Sequence, residues 1–257
     1  MLSELGRIPI FYSIIIAMLS YWHRLENISE TSLLYCAYLE SQLLIDKNIN
    51  SWYKTITLLS EKLDINLSYY KRLSLNMFKS VVKKRIQANF MQYWYNRRDK
   101  DKLSGKLDTY FKFKTSFISE NYLNIKSFEY RKVFCKLRIS AHNLRIETGR
   151  YEKTRDGNGS VKLLERNKRI CQLCNLNCIE DELHFLIECP IYNSERQLFF
   201  QEVSLSNKNF SSLNSVNKFL WLMSNEDHLL LNNLCKFISV SFENRRKQLS
   251  LSKKTSL

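Results

Sequence analysis

The amino-acid sequence predicts a globular, mainly α-helical fold, for three reasons. Glycine occurs 5 times and proline 2 times in 257 residues, which leaves few residues for the tight turns of many-stranded sheets. Apolar residues make up 44% of the chain, enough for a buried core. In several segments the apolar residues recur at steps of three and four, which is the spacing of one helix face.

The first predicted helix contains an apolar run from Ile8 to Trp22. The run is shorter than the roughly 20 apolar residues that a membrane-spanning helix needs. A secretory signal peptide would have a positively charged start and a small-residue cleavage site, whereas Glu4 offsets Arg7 and His23 and Arg24 follow the run. We therefore expect a buried helix, no membrane partner, and an intracellular protein of the nucleus or cytoplasm.

The next segments are also helical in pattern. One helix is predicted over residues 31–45, and another begins behind Ser51, a residue suited to the N-cap position. From Ser80 to Arg98 the apolar residues recur at steps of four, four and three, at Val82, Ile86, Phe90 and Tyr93. The segment from Tyr110 to Leu123 continues in the same style.

A longer helix is predicted from Phe128 to Gly149. Its apolar residues fall within about a 100° sector, and basic residues cover the other side. Gly149 stands where a left-handed helix cap is expected. His142 has no cysteine or carboxylate at a useful sequence spacing, so we expect an ordinary surface histidine.

The segment from Glu152 to Lys162 is the clearest linker in the chain, because it combines two of the five glycines with Asp, Asn and Ser. The sequence therefore predicts four parts. They are a helical region over residues 1–151, a linker over 152–164, a small module over 165–200, and C-terminal helices with a basic tail over 201–257.

The chain carries 40 basic and 25 acidic residues, a formal net charge of +15. The excess is concentrated and interleaved with aromatic residues, which suits RNA or DNA because phosphates attract cations and exposed bases stack on rings. A solvated basic surface is the alternative. The predicted phosphate contacts are Lys83, Lys84, Arg85, Arg97, Arg98, Arg138, Arg145, Arg150, Arg166, Lys168 and Arg169. Trp94 and Tyr151 could stack on bases if exposed, although core packing is the commoner role of such aromatic residues.

The cysteines predict a zinc site. Residues 171–189 read C-x2-C-x9-H-x4-C, and Cys171, Cys174, His184 and Cys189 form a Cys3His set of the kind that binds structural Zn²⁺ in a tetrahedron. With 7 cysteines in 257 positions, only about 0.2 C-x2-C pairs are expected by chance. Seven cysteines cannot all pair as disulfides, and a reducing compartment favours metal. Free thiols or a redox pair are the alternatives.

Two neighbours of the set leave its details open. Cys178 could replace one ligand if the loop folds differently, but we expect it to be a bystander because four ligands are already present. Glu180, Asp181 and Glu182 are expected to begin the helix that carries His184, where their charge meets the positive end of the helix dipole. A closed four-ligand site has no open position for water, so we expect a structural role.

The chain resembles the C-terminal region of reverse transcriptases encoded by non-LTR (LINE-like) retrotransposons of invertebrates. The matching segments are "KLRISAHNLRIETGRY", residues 136–151, and "ERNKRICQLCNLNCIEDELHFLIECPIY", residues 165–192. Weaker similarity extends the resemblance to roughly residues 4–205.

The resemblance implies a helical region that follows the polymerase thumb and a CCHC zinc knuckle that binds template RNA or target DNA, with the polymerase portion of the parent protein as a further partner. The family's knuckle ligands correspond to Cys171, Cys174, His184 and Cys189. However, the sequence has no Asp-Asp dipeptide and no Pro-Asp-x-Asp motif, so the carboxylates for two-metal phosphoryl transfer are missing. We expect no enzymatic activity from this chain alone.

Two other functions compete with a nucleic-acid-binding fragment. The zinc knuckle and the apolar helix faces could instead form a protein-interaction module, with the charge serving only solubility. An enzymatic site at Glu226, Asp227 and His228 is weaker, because an exposed polar turn is by far the better explanation of these residues.

Overall fold

The computed structural model describes residues 2–47, 49–101, 105–155 and 159–254, and it is mainly helical, as the sequence predicts. The chain divides into two compact units, residues 2–97 and residues 98–257, called here the N-terminal and C-terminal units. Among the described residues, no helix is long and apolar enough to cross a bilayer. The end of the predicted basic tail, residues 255–257, lies outside the described residues.

The N-terminal unit consists of helices, and the predicted ones are confirmed. Ser32 caps the second helix through its side chain, and Ser51 caps the third, where its Oγ accepts a hydrogen bond from the Lys54 backbone N–H at 3.2 Å. The fifth helix begins five residues before the predicted Ser80. The helices are α1 (Phe11–Leu25), α2 (Leu33–Asp46), α3 (Trp52–Lys62), α4 (Leu67–Tyr70) and α5 (Leu75–Asp101).

The core of this unit forms where α1, α3 and α5 turn their apolar faces inward. Its fully buried side chains are Leu19, Trp22, Ile56, Phe78, Val82 and Ile86. The opposite face of α1 stays open, since Phe11 is 58% and Ile14 is 54% exposed. The first helix is therefore buried along one face only, which is less than the sequence predicts.

The C-terminal unit combines helices with one small hairpin. Its α-helices are α6 (Asp108–Phe113), α7 (Phe128–Arg138), α8 (Arg145–Thr148), α9 (Asn193–Ser206), α10 (Ser215–Met223) and α11 (His228–Lys254). Strands β1 (Lys153–Arg155) and β2 (Val161–Leu163) pair antiparallel, with Lys153 opposite Leu163 and Arg155 opposite Val161. Short 3-10 turns lie at Asn121–Asn124, Gly149–Tyr151, Arg166–Lys168, Pro190–Tyr192 and Phe210–Ser212.

The predicted linker is thus a hairpin inside the C-terminal unit, apart from residues 156–158, which lie outside the described part of the chain. The division into compact units falls at residues 97 and 98 instead. The segment 165–200 lies in the C-terminal unit together with α7 and α11. Glu226 and Asp227 lie at a turn, where Asp227 caps α11 by accepting a hydrogen bond from the Leu230 N–H at 2.8 Å.

Two predicted helices are shorter than expected. The segment from Tyr110 to Leu123 is helical only to Phe113 and again from Asn121. The helix from Phe128 ends at Arg138, because Ser140 adopts a left-handed conformation with φ of 52°. There the Ala141 N–H donates to the Lys136 carbonyl at 2.8 Å, which is the closing bond of a Schellman cap.

Gly149 does not play the predicted capping role. Its φ of −67° is right-handed. A Cβ at this position would lie 2.8 Å from Cγ of Arg169, so the glycine is needed for close packing. The apolar residues keep their helical spacing as far as Leu144 although α7 ends at Arg138, which is why the sequence pattern misplaces the end of this helix.

We predict that Ile56→Ala lowers the free energy of unfolding by about 2–5 kcal/mol, because it leaves a cavity in the core between α1, α3 and α5. Leu58→Ala on the same helix is the control, since Leu58 is 49% exposed. Urea unfolding followed by circular dichroism measures both. Equal effects of the two substitutions would contradict the assigned core.

Candidate metal centre

The structure brings the four predicted ligands together. One ligand atom from each of Cys171, Cys174, His184 and Cys189 lies within 4.8 Å of the others. Nε2 of His184 is 3.4 Å from Sγ of Cys174. Cys171, His184 and Cys189 are buried, while Cys174 is half-buried. The arrangement is a possible CCHC metal-binding site in a protected position.

The first two ligands lie at the start of a short loop. Ile170 and Ile179 form an isolated antiparallel bridge, and the Cys171 N–H donates to the Cys178 carbonyl at 2.9 Å. This closes the loop and turns Cys171 and Cys174 toward the same point. The Cys178 thiol is exposed and contacts the Leu176 carbonyl at 3.3 Å, so it lies outside the cluster.

The other two ligands lie on one wide helical turn. Residues His184–Glu188 form a π-helical turn, and the Cys189 N–H donates to the His184 carbonyl at 2.7 Å. This bond spans five residues and brings the His184 and Cys189 side chains to the same side. Asp181 accepts a hydrogen bond from the His184 N–H at 2.9 Å and so caps the turn. The x4 spacing identifies the ligands, but it does not distinguish a π turn from an ordinary helix.

The ligand groups compete for protons. A hydrogen bond with Cys189 lowers the pKa of Cys171 to about 3, whereas the hydrogen bond with Cys171 and burial raise the pKa of Cys189. Burial lowers the pKa of His184, but interaction with the Cys171 thiolate outweighs it and the net direction is upward. Burial also raises the pKa of Cys174, so the shifts favour one thiolate, Cys171, beside a protonated imidazole, with Cys174 and Cys189 as neutral thiols. A divalent cation that binds the four ligands would displace these protons.

The donor set fits Zn²⁺. Three thiolates and one imidazole form one of the usual tetrahedral sets of structural zinc sites, and soft sulfur ligands favour zinc over magnesium or calcium. Nδ1 of His184 lies 3.9 Å from a Glu188 carboxylate oxygen, which leaves Nε2 to face the thiols. That separation is longer than a hydrogen bond, and the buried Nδ1 has no hydrogen-bond partner among the described residues. The cysteines of the described chain are all free thiols.

Of the three acidic residues predicted to begin the helix of His184, Asp181 caps it and Glu182 is its first residue, whereas Glu180 is a buried anchor before it. Its side chain is 2% exposed, and its two oxygens accept hydrogen bonds from the Arg245 guanidinium at 2.7 and 2.6 Å. It also accepts the Arg145 N–H at 2.7 Å. The ion pair joins the segment between the ligands to α11.

Glu182 is the second anchor. It accepts hydrogen bonds from Nε2 of His142 at 2.9 Å and from Oγ of Ser140 at 2.8 Å. Burial raises the pKa of Glu182, but these two partners outweigh it and the net direction is downward. His142 is therefore buried and bonded, so the prediction of a surface histidine is wrong. Its partner is 40 residues away in the sequence, beyond any local spacing.

Arg196 supports the turn that carries the second ligand pair, His184 and Cys189. Its guanidinium donates to the carbonyl oxygens of Leu186 at 2.9 Å and Cys189 at 2.8 Å, and it is buried. It thereby places a positive charge beside the thiols. Together with Arg245, it ties the ligand-bearing segment to α9 and α11.

The predicted phosphate contacts divide by exposure. Six of them lie on the surface: Lys83, Lys84, Arg85, Arg97, Arg166 and Lys168. Arg98, Arg145, Arg150 and Arg169 are half-buried and engaged within the protein. Arg169, for example, donates to the Leu164 and Ile146 carbonyls, and burial lowers its pKa.

Arg138 cannot contact phosphate as predicted. Its side chain is 2% exposed, pairs with Glu120 at 2.7 Å and lies 4.7 Å from the ring centroid of Phe113. Among the predicted stacking residues, Trp94 is buried, whereas Tyr151 is 75% exposed. The sequence gives charge and amphipathic pattern, but it does not show which cations find buried partners.

The hairpin carries cations that the sequence reading assigned to a linker. Lys153, Arg155 and Lys162 are exposed, and both strands are exposed along their full length. Lys153 and Arg155 share one face with Val161 and Leu163, because alternate and directly paired residues point the same way. Two three-residue segments on either side of a glycine-containing loop are the sequence feature that could have predicted this hairpin.

Comparisons with known proteins give no family for the chain. No protein-family model matches it, and neither a curated protein nor a solved structure does.

We predict that purified wild-type protein carries about one zinc ion per chain and that Cys174→Ser lowers this content strongly, because a four-ligand site loses one thiolate. Cys178→Ser is the matched control and keeps the metal, since Cys178 lies outside the cluster. Plasma mass spectrometry measures the content. Loss of zinc from the control, or full retention by Cys174→Ser, would contradict the assigned ligands.

We also predict that Arg245→Met lowers the free energy of unfolding by about 3–5 kcal/mol, because it leaves the buried Glu180 carboxylate without its cation. Arg246→Met is the control on the next residue, which is exposed. Thermal and urea unfolding of zinc-loaded protein measure both. A loss below about 1 kcal/mol for Arg245→Met would show that the pair does not hold the segment.

Proposed function

We propose that this chain is a zinc-dependent nucleic-acid-binding fragment that binds template RNA or target DNA and has no polymerase or nuclease activity of its own. Zn²⁺ would be held by Cys171, Cys174, His184 and Cys189 and would organise structure, because a complete protein ligand set leaves no position for a reacting water. An origin in the C-terminal region of a non-LTR retrotransposon reverse transcriptase is part of the proposal and rests on the resemblance alone. The polymerase portion of such a parent would be a further partner.

The observation that carries the proposal is a run of exposed cations just before the first ligand. We call it the basic hairpin surface, and it consists of Lys153 and Arg155 on one face of the hairpin, Lys162 on the other face, and Arg166 and Lys168 in the turn that follows. Lys168 lies 3.3 Å from Glu165, and Arg166 lies 3.7 Å from Asp108. The strands themselves carry three basic and no acidic residues.

The surface and the ligand cluster are physically continuous. The Leu164 N–H donates to the Glu152 carbonyl at 2.8 Å and closes the hairpin base. The Glu180 N–H donates to the Arg169 carbonyl at 3.0 Å and joins the chain after the hairpin to the ligand-bearing segment. A metal that orders residues 171–189 therefore also orders the base of the basic hairpin surface. Cations held in fixed positions lose less entropy on binding phosphates.

A protein-interaction role is the second candidate, and one observation favours it. The N-terminal unit exposes large apolar side chains on α1 and α2, at Phe11, Ile14, Leu33 and Leu43. Phe11 and Ile14 lie three residues apart on α1 and so share one helix face, and contiguous exposed apolar side chains often mark protein contacts. Binding there would depend little on salt, in contrast to phosphate contacts.

We predict that the zinc-loaded protein binds a labelled RNA hairpin or DNA duplex and that Lys153→Glu with Arg155→Glu weakens this binding. Each lost phosphate contact should reduce the slope of log affinity against log salt by about 0.7–0.9. The control pair is Lys47→Glu with Lys208→Glu, which makes the same charge change at other exposed positions. Fluorescence anisotropy at several salt concentrations measures all three proteins.

Two results would count against the proposal. The zinc-loaded wild type could bind neither probe even at low salt, which would favour the protein-interaction candidate. Alternatively, the hairpin pair and the control pair could lose equal affinity, which would show a diffuse charge effect with no role for the basic hairpin surface.

A further inference from the structure

An open groove runs along the C-terminal unit between α7, the loop after it and α11. Its volume is about 590 Å³, within the usual range of about 300–1,000 Å³ for ligand sites. The residues that matter for its chemistry are Val133, Lys136, His142, Phe242, Arg246 and Leu249. None of the proposed metal ligands and none of the cations of the basic hairpin surface lines it.

The floor of the groove is aromatic and firmly supported. Phe242 is half-buried and stacks on Phe185 with ring centroids 4.5 Å apart and an interplanar angle of 28°. His142 lies 6.4 Å from Phe242, centroid to centroid, and both of its ring nitrogens are engaged, Nε2 with Glu182 and Nδ1 with the Leu144 N–H. The rings are therefore held in place, which suits a flat ligand.

The walls of the groove are basic. Lys136 on α7 and Arg246 on α11 are both exposed. Arg245 also lines the groove, but its charge is matched by Glu180. Glu243, the acidic residue among the described lining residues, lies 2.9 Å from Lys247. An anion entering the groove therefore meets one cation from each helix.

We propose that this groove binds single-stranded nucleic acid, with one base against Phe242 and the adjoining phosphates at Lys136 and Arg246. The inference rests on the proposed function for the class of ligand and adds a site that the basic hairpin surface does not include. A single strand is the ligand that fits, because its base faces are free to stack on a ring whereas those of a duplex are covered.

The groove also depends on the ligand-bearing segment. Glu182 fixes His142, Glu180 fixes Arg245, and Phe185 supports Phe242, and all three lie between Cys178 and Cys189. If that segment loses its order when metal is removed, the floor of the groove loses its support. Single-strand binding should then be lost on chelation.

The test compares Lys136→Glu and Arg246→Glu, separately, with Lys208→Glu, an exposed position outside the groove. The probes are a labelled 12-nucleotide oligo-dT and a 12-base-pair DNA duplex, and anisotropy is read at several salt concentrations on zinc-loaded protein. We expect each groove variant to lower single-strand affinity at least fivefold relative to the control and to reduce the salt slope by about 0.7. Duplex affinity should change no more than in the control.

Phe242→Leu tests the stacking contact, with zinc content and melting temperature measured alongside because Phe242 also packs on Phe185. Loss of one base–aromatic stack, worth about 1–3 kcal/mol, corresponds to about a 5- to 150-fold loss of single-strand affinity. A stably folded, zinc-loaded Phe242→Leu protein with unchanged affinity would overturn the proposal. If that variant does not fold, the two charge variants still decide.

Three patterns of results are informative, and the first two separate this inference from the proposed function. If the groove variants match Lys208→Glu while the hairpin variants weaken binding, the groove assignment is wrong and the nucleic-acid function stands. If the groove variants weaken single-strand and duplex binding equally, the single-strand assignment is wrong. If the wild type binds neither probe at low salt, both proposals fail together.

Discussion

The C-terminal unit depends on the neutralisation of charge in one short buried segment. Residues 171–189 bring three thiols and an imidazole within 4.8 Å of one another and add the buried carboxylates of Glu180 and Glu182. Ionised groups are costly to bury unless each has a partner. Arg245 pairs with Glu180, and His142 donates a hydrogen bond to Glu182. Arg196 donates to the Cys189 carbonyl beside the second ligand pair. A divalent cation would neutralise the thiolates. Structural zinc contributes about 10–16 kcal/mol of apparent binding free energy in small zinc-finger peptides, so the metal would dominate the local stability.

The same partners link the segment to the rest of the unit. Arg245 comes from α11, His142 from the loop after α7, and Arg196 from α9. The metal would therefore hold more than a small knuckle, because the groove and the base of the hairpin both share residues with this network. A closed site with no chemistry of its own would in this way support the two proposed binding surfaces.

The sequence predicts the parts of the structure that depend on local spacing. Helices α2, α3 and α5 follow from the apolar pattern and α3 also from its Ser51 cap. The ligand set follows from the C-x2-C pair and the His–Cys pair, each within a few residues. The ion pair of Glu180 with Arg245 spans 65 residues, so no local pattern indicates it. Ser140 ends α7 although the apolar period continues, because a left-handed residue with a Schellman cap leaves no trace in hydrophobicity. The charge pattern could not separate the exposed Lys168 from the buried Arg138 either, because the partner that buries Arg138, Glu120, is also distant in the sequence.

The central claim is that Cys171, Cys174, His184 and Cys189 hold one zinc ion and thereby order the C-terminal unit. X-ray absorption at the zinc edge of the purified protein tests it most directly, because sulfur and nitrogen neighbours scatter at different distances. The account predicts three sulfur neighbours at about 2.3 Å and one nitrogen at about 2.0–2.1 Å. A first shell dominated by oxygen, or a protein purified without zinc that stays fully folded in a chelator, would contradict it.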